Sequence, residues 1–118
     1  MNTFTIPCEL CTLNDYISAE RTNKHIAASI KKKQTKLITL YCKGLKIDKN
    51  KQYDLEINWH TKDKRKDSDN VFFAIKFIQD GMVEAGVIEN DGYKQIRNIN
   101  NKRFIGESKV EVTLIEVC

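Results

Sequence analysis

Asp67 and Asp69 stand two residues apart in the run Lys66-Asp67-Ser68-Asp69-Asn70. In extended backbone, residues i and i+2 point to the same face, with Cα atoms roughly 7 Å apart. Two carboxylates so placed can share a hard cation such as Mg²⁺, which takes oxygen ligands and keeps several waters. A third acid, Asp91, lies in Glu89-Asn90-Asp91-Gly92, beyond the helix that Asp69 would open. A helix-and-return connection can carry such a loop back towards the strand's end, where α/β sites commonly form. Each acid also has a structural use: Ser68 or Asp69 can cap a helix, and Asp91-Gly92 can make a turn. Spacing alone does not choose between these uses and metal binding.

A lysine belongs to the same constellation. Asp69, Phe73, Lys76 and Asp80 succeed one another at i, i+4, i+7 and i+11. On one continuous helix this sets Lys76 two turns, roughly 10 Å, beyond Asp69. Helical side chains lean towards the N-terminus, so its ammonium would point back at the carboxylates. The same lysine can instead pair with Asp80 at i+4.

Two basic runs flank these residues in the sequence. Lys62, Lys64, Arg65 and Lys66 stand against Asp63 alone, and Lys31-Lys32-Lys33 is followed by Lys36. Such runs either contact the phosphates of a nucleic acid or form a solvated face. Twenty Lys and Arg against sixteen Asp and Glu give a formal charge of +4, which permits a polyanionic partner without requiring one. The four cysteines read as thiols of a reduced, cytosolic protein. Cys8-x-x-Cys11 lacks the second close pair or nearby histidine that completes a tetrahedral zinc site, and it does not open a helix as a redox pair would.

Periodicity defines the elements that must position these residues. Thr3 to Ile6 reads as a short strand closed by Pro7. Asn14 can cap a helix in the next segment. Asp15 to Leu40 carries weak helical spacing, as one long helix or a broken pair ended by Gly44. Tyr53, Leu55, Ile57 and Trp59 alternate with polar residues, predicting a half-buried strand. Val71, Ala74, Ile75, Ile78, Met82 and Ala85 form the apolar stripe of a second helix, capped by Gly86. Val87-Ile88 leads into the turn, and strands over about 93–99 and 109–117 finish the chain. The expected architecture is an α/β sandwich of the α+β kind, with helices packed on a mixed sheet in the order β-α-β-α-β-β.

With 118 residues there is room for one domain, residues 1–118, and not for two. A chain of this length buries roughly two-thirds of its unfolded surface, enough for one core. Charged residues at 31% and apolar ones at 41% exclude a disordered tail. Apolar runs of only a few residues exclude a membrane-spanning helix and the core of a secretory signal. One proline and five glycines leave no evident linker, and no internal repeat shows.

Taken together, Lys66-Asp67-Ser68-Asp69-Asn70, the segment Lys76 to Met82 with its Asp80-Gly81, and Glu84-Ala85-Gly86-Val87-Ile88-Glu89-Asn90-Asp91 resemble the RusA family of Holliday junction resolvases. The resemblance covers about 65–96 and extends loosely to Leu13-Asn14, Arg21 and the closing strand. It implies an active site of Asp67, Asp69, Lys76 and Asp91, with the three aspartates holding Mg²⁺. It also implies a homodimer that binds four-way DNA junctions and nicks paired strands in recombination and repair, working in the cytoplasm of a bacterial host and often of phage or prophage origin. Where the family often has Asp-Asp, this chain has Asn90-Asp91. Some members place the lysine nearer the Asp-x-Asp, where this chain has Phe73. Lys62, Lys64, Arg65, Lys66, Lys31, Lys32 and Lys33 would then contact DNA phosphates away from the cut. The rival expectations are a non-catalytic DNA-binding or regulatory protein, and a Mg²⁺ nuclease acting on other branched DNA.

Overall fold

The computed structural model describes residues 2–118. In chain order its elements are β1 (Asn2–Ile6), α1 (Leu13–Thr22), α2 (Lys24–Cys42), β2 (Tyr53–Thr61), α3 (Ser68–Phe72), α4 (Ile75–Glu84), β3 (Ile96–Ile105) and β4 (Lys109–Glu116). The strands form one mixed sheet in the order β1-β4-β2-β3, in which β2 and β3 run parallel and the other neighbours antiparallel. This is a single-domain α+β fold.

Strict alternation in β2 buries Tyr53, Leu55, Ile57, Trp59 and Thr61 on one face. Val110, Val112 and Leu114 of β4 stand opposite Trp59, Ile57 and Leu55 on that same face, and Phe4 and Ile6 of β1 extend it. Ile38 of α2 and Phe77, Ile78 and Met82 of α4 close the core over it. The other face is polar: Thr3 meets Thr113 at 2.9 Å, and His60 meets Glu111 at 2.5 Å while stacking on Phe104. Hydroxyl, carboxylate and imidazole groups hydrogen-bond on the pleat without needing a covering layer.

Both helical regions are interrupted. The first is a broken pair: Asn23 takes extended backbone, its N–H donates to the Ala19 carbonyl to end α1, and its side chain accepts from His25 N–H at 2.7 Å to open α2. Asn14 does not cap the first helix. Thr12 does, through a reciprocal pair with Asp15 in which Asp15 N–H donates to Thr12 Oγ1 at 3.3 Å and Thr12 N–H donates to Asp15 Oδ2 at 3.4 Å. Helix α2 stops at Cys42, with Gly44 in the turn beyond. The second region is split at Phe73-Ala74 into α3 and α4, where the stripe from Val71 to Ala85 predicts a single helix.

Gly81 allows α4 to lie directly on α2. A Cβ at this position would come within 2.5 Å of Ile38 Cγ2, and the Gly81 carbonyl accepts from Thr39 Oγ1 at 3.2 Å. Past α4, Gly86 turns the chain with φ of +76°. Val87 and Ile88 are buried without joining the sheet. Strand β3 starts at Ile96 and runs to Ile105, later and longer than the 93–99 span. Its start is set by the preceding turn, where Gln95 and Ile96 N–H both donate to the Gly92 carbonyl. The Gln95 side chain is buried and donates to the carbonyls of Lys49 and Lys51.

Candidate functional site

The loop leaving β2 carries Lys62, Lys64, Arg65 and Lys66 and delivers the chain to Asp67, all of them exposed. Two side chains from distant parts of the chain pin it. Arg103 on β3 donates from Nε and Nη2 to Thr61 Oγ1 at 3.3 and 3.2 Å, from Nη2 to the Asp63 carbonyl at 3.3 Å, and from Nη1 to the Lys66 carbonyl and to Ser68 Oγ. Glu9 accepts from Ser108 Oγ at 2.6 Å, from Lys62 N–H at 3.3 Å and from Lys66 Nζ at 3.3 Å. The Ser108 hydroxyl, then the Lys62 N–H and the Lys66 ammonium, hold the Glu9 carboxyl below its usual range, although partial burial works the other way.

Asp67 occupies the N-cap position of α3 but makes no side-chain cap bond, and Asp69 Oδ1 accepts only from Asn70 N–H at 2.9 Å. Among the described residues neither carboxylate is in an ion pair. Because α3 begins at Ser68 and Asp69 lies in its first turn, the two acids do not stand in extended backbone and the same-face placement expected from their spacing does not hold: residues two apart on a helix do not face one another. Asn70 Oδ1 accepts from Asn14 N–H at 2.8 Å, which ties the start of α3 to the start of α1. That bond joins the Asp-x-Asp-Asn run to Leu13-Asn14.

Lys76 is exposed in the first turn of α4. Because the helix is interrupted at Phe73-Ala74, the projection of Lys76 along one straight helix from Asp69 does not hold. The interruption places Tyr16, Phe73 and Phe77 in mutual contact, with centroids 5.5 to 5.9 Å apart. Lys76 forms no ion pair with Asp80 among the described residues.

Asp91 is elsewhere. It lies in an open groove with Lys31 and Thr35 of α2 and Asp80, Val83 and Glu84 of α4. Its loop is a turn in which Asn90 Oδ1 accepts from Gly92 N–H at 3.0 Å. The sheet register explains the separation. Tyr53 pairs with Ile96 at one end of β2 and β3, and Thr61 with Ile105 at the other. Asp91 therefore precedes the N-terminal end of this parallel pair and Asp67 follows its C-terminal end, and the two ends of the nine-residue strand are roughly 26 Å apart. A crossover helix returns the chain to the end at which the first strand began, not the end it left. Among the described residues no three His, Cys, Asp or Glu side chains converge as a metal-ion cluster. One chain thus places Asp67 and Asp69 at the start of α3, just after the basic loop, and leaves Asp91 beside Lys31 at the opposite end. Lys32 and Lys33, next to Lys31 in sequence, are exposed on α2.

Glu9 and Arg103 were not legible as site residues. Each is one charged residue in an unremarkable segment, and its significance lies in contacts 35 to 99 residues away in sequence. The four cysteines are free thiols. Burial raises those of Cys8 and Cys11, opposite to the thiolate character that a redox pair needs. No helix among the described residues is long and apolar enough to cross a membrane. No family model matches the chain, and no curated protein matches it.

Proposed function

We propose that this chain is a Mg²⁺-dependent, structure-selective endodeoxyribonuclease that nicks four-way DNA junctions as a homodimer, in the manner of the RusA-like resolvases it resembles. The observation that carries this reading is the pair of exposed, unpaired carboxylates of Asp67 and Asp69 at the exit of the central strand, immediately after four basic residues. Lys62, Lys64, Arg65 and Lys66 neutralise backbone phosphates and set the position of the duplex, without reading its sequence. Asp67 and Asp69 would hold the cation, and Lys76 would stabilise charge that develops on the phosphate. A bound Mg²⁺ supplies an acidified water and charge neutralisation. A host-cytoplasmic role in DNA recombination and repair, with phage or prophage origin, belongs to the same reading.

A second reading, a DNA-binding protein without catalysis, is favoured by one observation: Asp91 does not reach Asp67 and Asp69 within the chain. One experiment separates the two. A labelled four-way junction is incubated with the protein in Mg²⁺ and in EDTA, beside the Asp67→Asn variant. Paired nicks that need both Mg²⁺ and Asp67 support the nuclease. Binding without nicking supports the second reading. A flap or fork cut in preference to the junction would retain the nuclease and change its substrate.

A further inference from the structure

We propose that the cavity between the turn at 48–51 and the loop at 89–95 is a phosphate-binding pocket, walled by Lys49, Lys51 and Lys94. The inference goes beyond the nuclease reading and uses none of its acidic residues. Strands β2 and β3 run parallel, so the segments that feed them arrive side by side at the same end of the sheet. Tyr53 N–H donates to the Gln95 carbonyl at 2.8 Å where the two strands begin. The space left between the arriving segments is about 320 Å³. That is within the range of small-ligand sites, roughly 300–1,000 Å³.

One buried side chain holds both walls. Gln95 is 5% exposed, and its Nε2 donates to the carbonyls of Lys49 at 3.2 Å and Lys51 at 2.8 Å. Its Oε1 accepts from Glu89 N–H at 3.2 Å. Each wall is also closed on itself: Asn50 N–H donates to Asp48 Oδ1 at 2.9 Å, and Gly92 N–H to Asn90 Oδ1 at 3.0 Å. Walls fastened in this way need little ordering when a ligand arrives.

The lining selects the ligand. Every side chain that lines the cavity is polar or charged, without the apolar surface that dominates pockets for uncharged molecules. Three lysines stand against one carboxylate, Glu89. Among the described residues neither Lys49 nor Lys94 is in an ion pair, and Lys51 reaches only Glu116, at 3.9 Å with both side chains about half exposed. Ammonium groups are point charges with three donors each, suited to phosphate oxygens. Glu89 can accept from a sugar hydroxyl. The ligand class is therefore a phosphate ester, supplied by a free nucleotide or by the backbone of a nucleic-acid strand.

The test titrates the full chain with sodium pyrophosphate by calorimetry. Lys49→Gln/Lys94→Gln alters only exposed side chains and should weaken binding by about tenfold or more. Lys62→Gln/Lys64→Gln removes as much charge at the opposite end of β2 and should leave pyrophosphate binding unchanged. ATP without Mg²⁺ and an oligodeoxythymidine strand are then added as competitors to the Lys62→Gln/Lys64→Gln chain. Displacement of pyrophosphate by ATP alone assigns the pocket to a free nucleotide, and displacement by the strand assigns it to a nucleic-acid backbone. The proposal is overturned by a wild type that does not bind pyrophosphate, or by a Lys49→Gln/Lys94→Gln chain that binds it equally well. An equal loss in the Lys62→Gln/Lys64→Gln chain also overturns it, because binding would then follow net charge alone. None of these outcomes depends on nicking, so the nuclease reading stands or falls separately.

Discussion

Arg103 and Thr61 are joined by a two-pronged bond, with Nε and Nη2 of the guanidinium both donating to the threonine Oγ1. The remaining donors reach the carbonyls of Asp63 and Lys66 and the Ser68 hydroxyl. One side chain on β3 thereby orders the whole passage from β2 to α3. A planar fork with five fixed donors can do this and a lysine cannot. Arg103→Lys should therefore fail to restore what Arg103→Ala loses. Each should cost about 1–2 kcal/mol of stability and speed amide exchange across 62–68, while exchange in β4 is unchanged. Equal protection of 62–68 in the wild type and both variants would show that the loop does not depend on the fork.

Asp67→Asn and Asp69→Asn should each reduce junction nicking by about 10²-fold or more while binding holds or tightens, because a negative charge facing phosphate has gone. Lys76→Ala should lower kcat by roughly 10²–10³ with a much smaller change in KM, the pattern of an interaction made mainly in the transition state. Single-turnover nicking with separately measured binding checks both. A Lys76→Ala enzyme that cleaves normally returns the lysine to the solvated surface of α4.

Alanine at Lys62, Lys64, Arg65 and Lys66 together should weaken junction binding and flatten the plot of log K against log salt by up to about 0.9 per lost phosphate contact. Binding measured across a series of salt concentrations gives the slope. An unchanged slope would mark the run as a solvated face. Lys66 carries a second expectation, since its ammonium also pairs with Glu9 at 3.3 Å.

Gly81→Ala should destabilise the fold by about 1–3 kcal/mol through overpacking, although alanine is the better helix former. The added Cβ meets Ile38 at 2.5 and 2.7 Å, and the Thr35 carbonyl stands at 3.2 Å. Chemical denaturation checks this, and in a double-mutant cycle Gly81→Ala should cost less beside Ile38→Ala, which removes the Cγ2 that the new Cβ meets. An equal cost in both backgrounds would lie elsewhere than in this helix contact.

Glu9 supplies the pH dependence. Its carboxyl titrates lower in the folded protein than in the unfolded chain, chiefly because of the Ser108 hydroxyl. The stabilisation is therefore fully present above the ordinary carboxylate range near pH 4.3 and fades as pH falls through the lower folded value. Glu9→Gln should lower the melting temperature at pH 7 and converge on the wild type in strong acid. Parallel curves down to pH 2 would rule out this linkage.

The β2 alternation, the exposed Asp-x-Asp and the basic loop were legible in the sequence because each is local. A period of two determines which face of a strand is apolar, and neighbouring residues at a strand exit share a neighbourhood whatever the rest of the chain does. The interruption at Phe73-Ala74 was not legible. The apolar stripe runs through it unbroken, and only the packing of Phe73 and Phe77 on Tyr16 from α1 gives the break its place. The extent of strand β3 was hidden because Asn98-Ile99-Asn100-Asn101-Lys102 has no apolar alternation. Its pairing to β2 is held by backbone bonds and by partners such as Arg97 with Asp54 at 2.7 Å. The separation of Asp91 from Asp67 and Asp69 is purely a tertiary outcome. Residue spacing permits the loop to return to either end of β2, and the parallel registration of β3 sends it to the far one, because strands running in the same direction must begin at the same end.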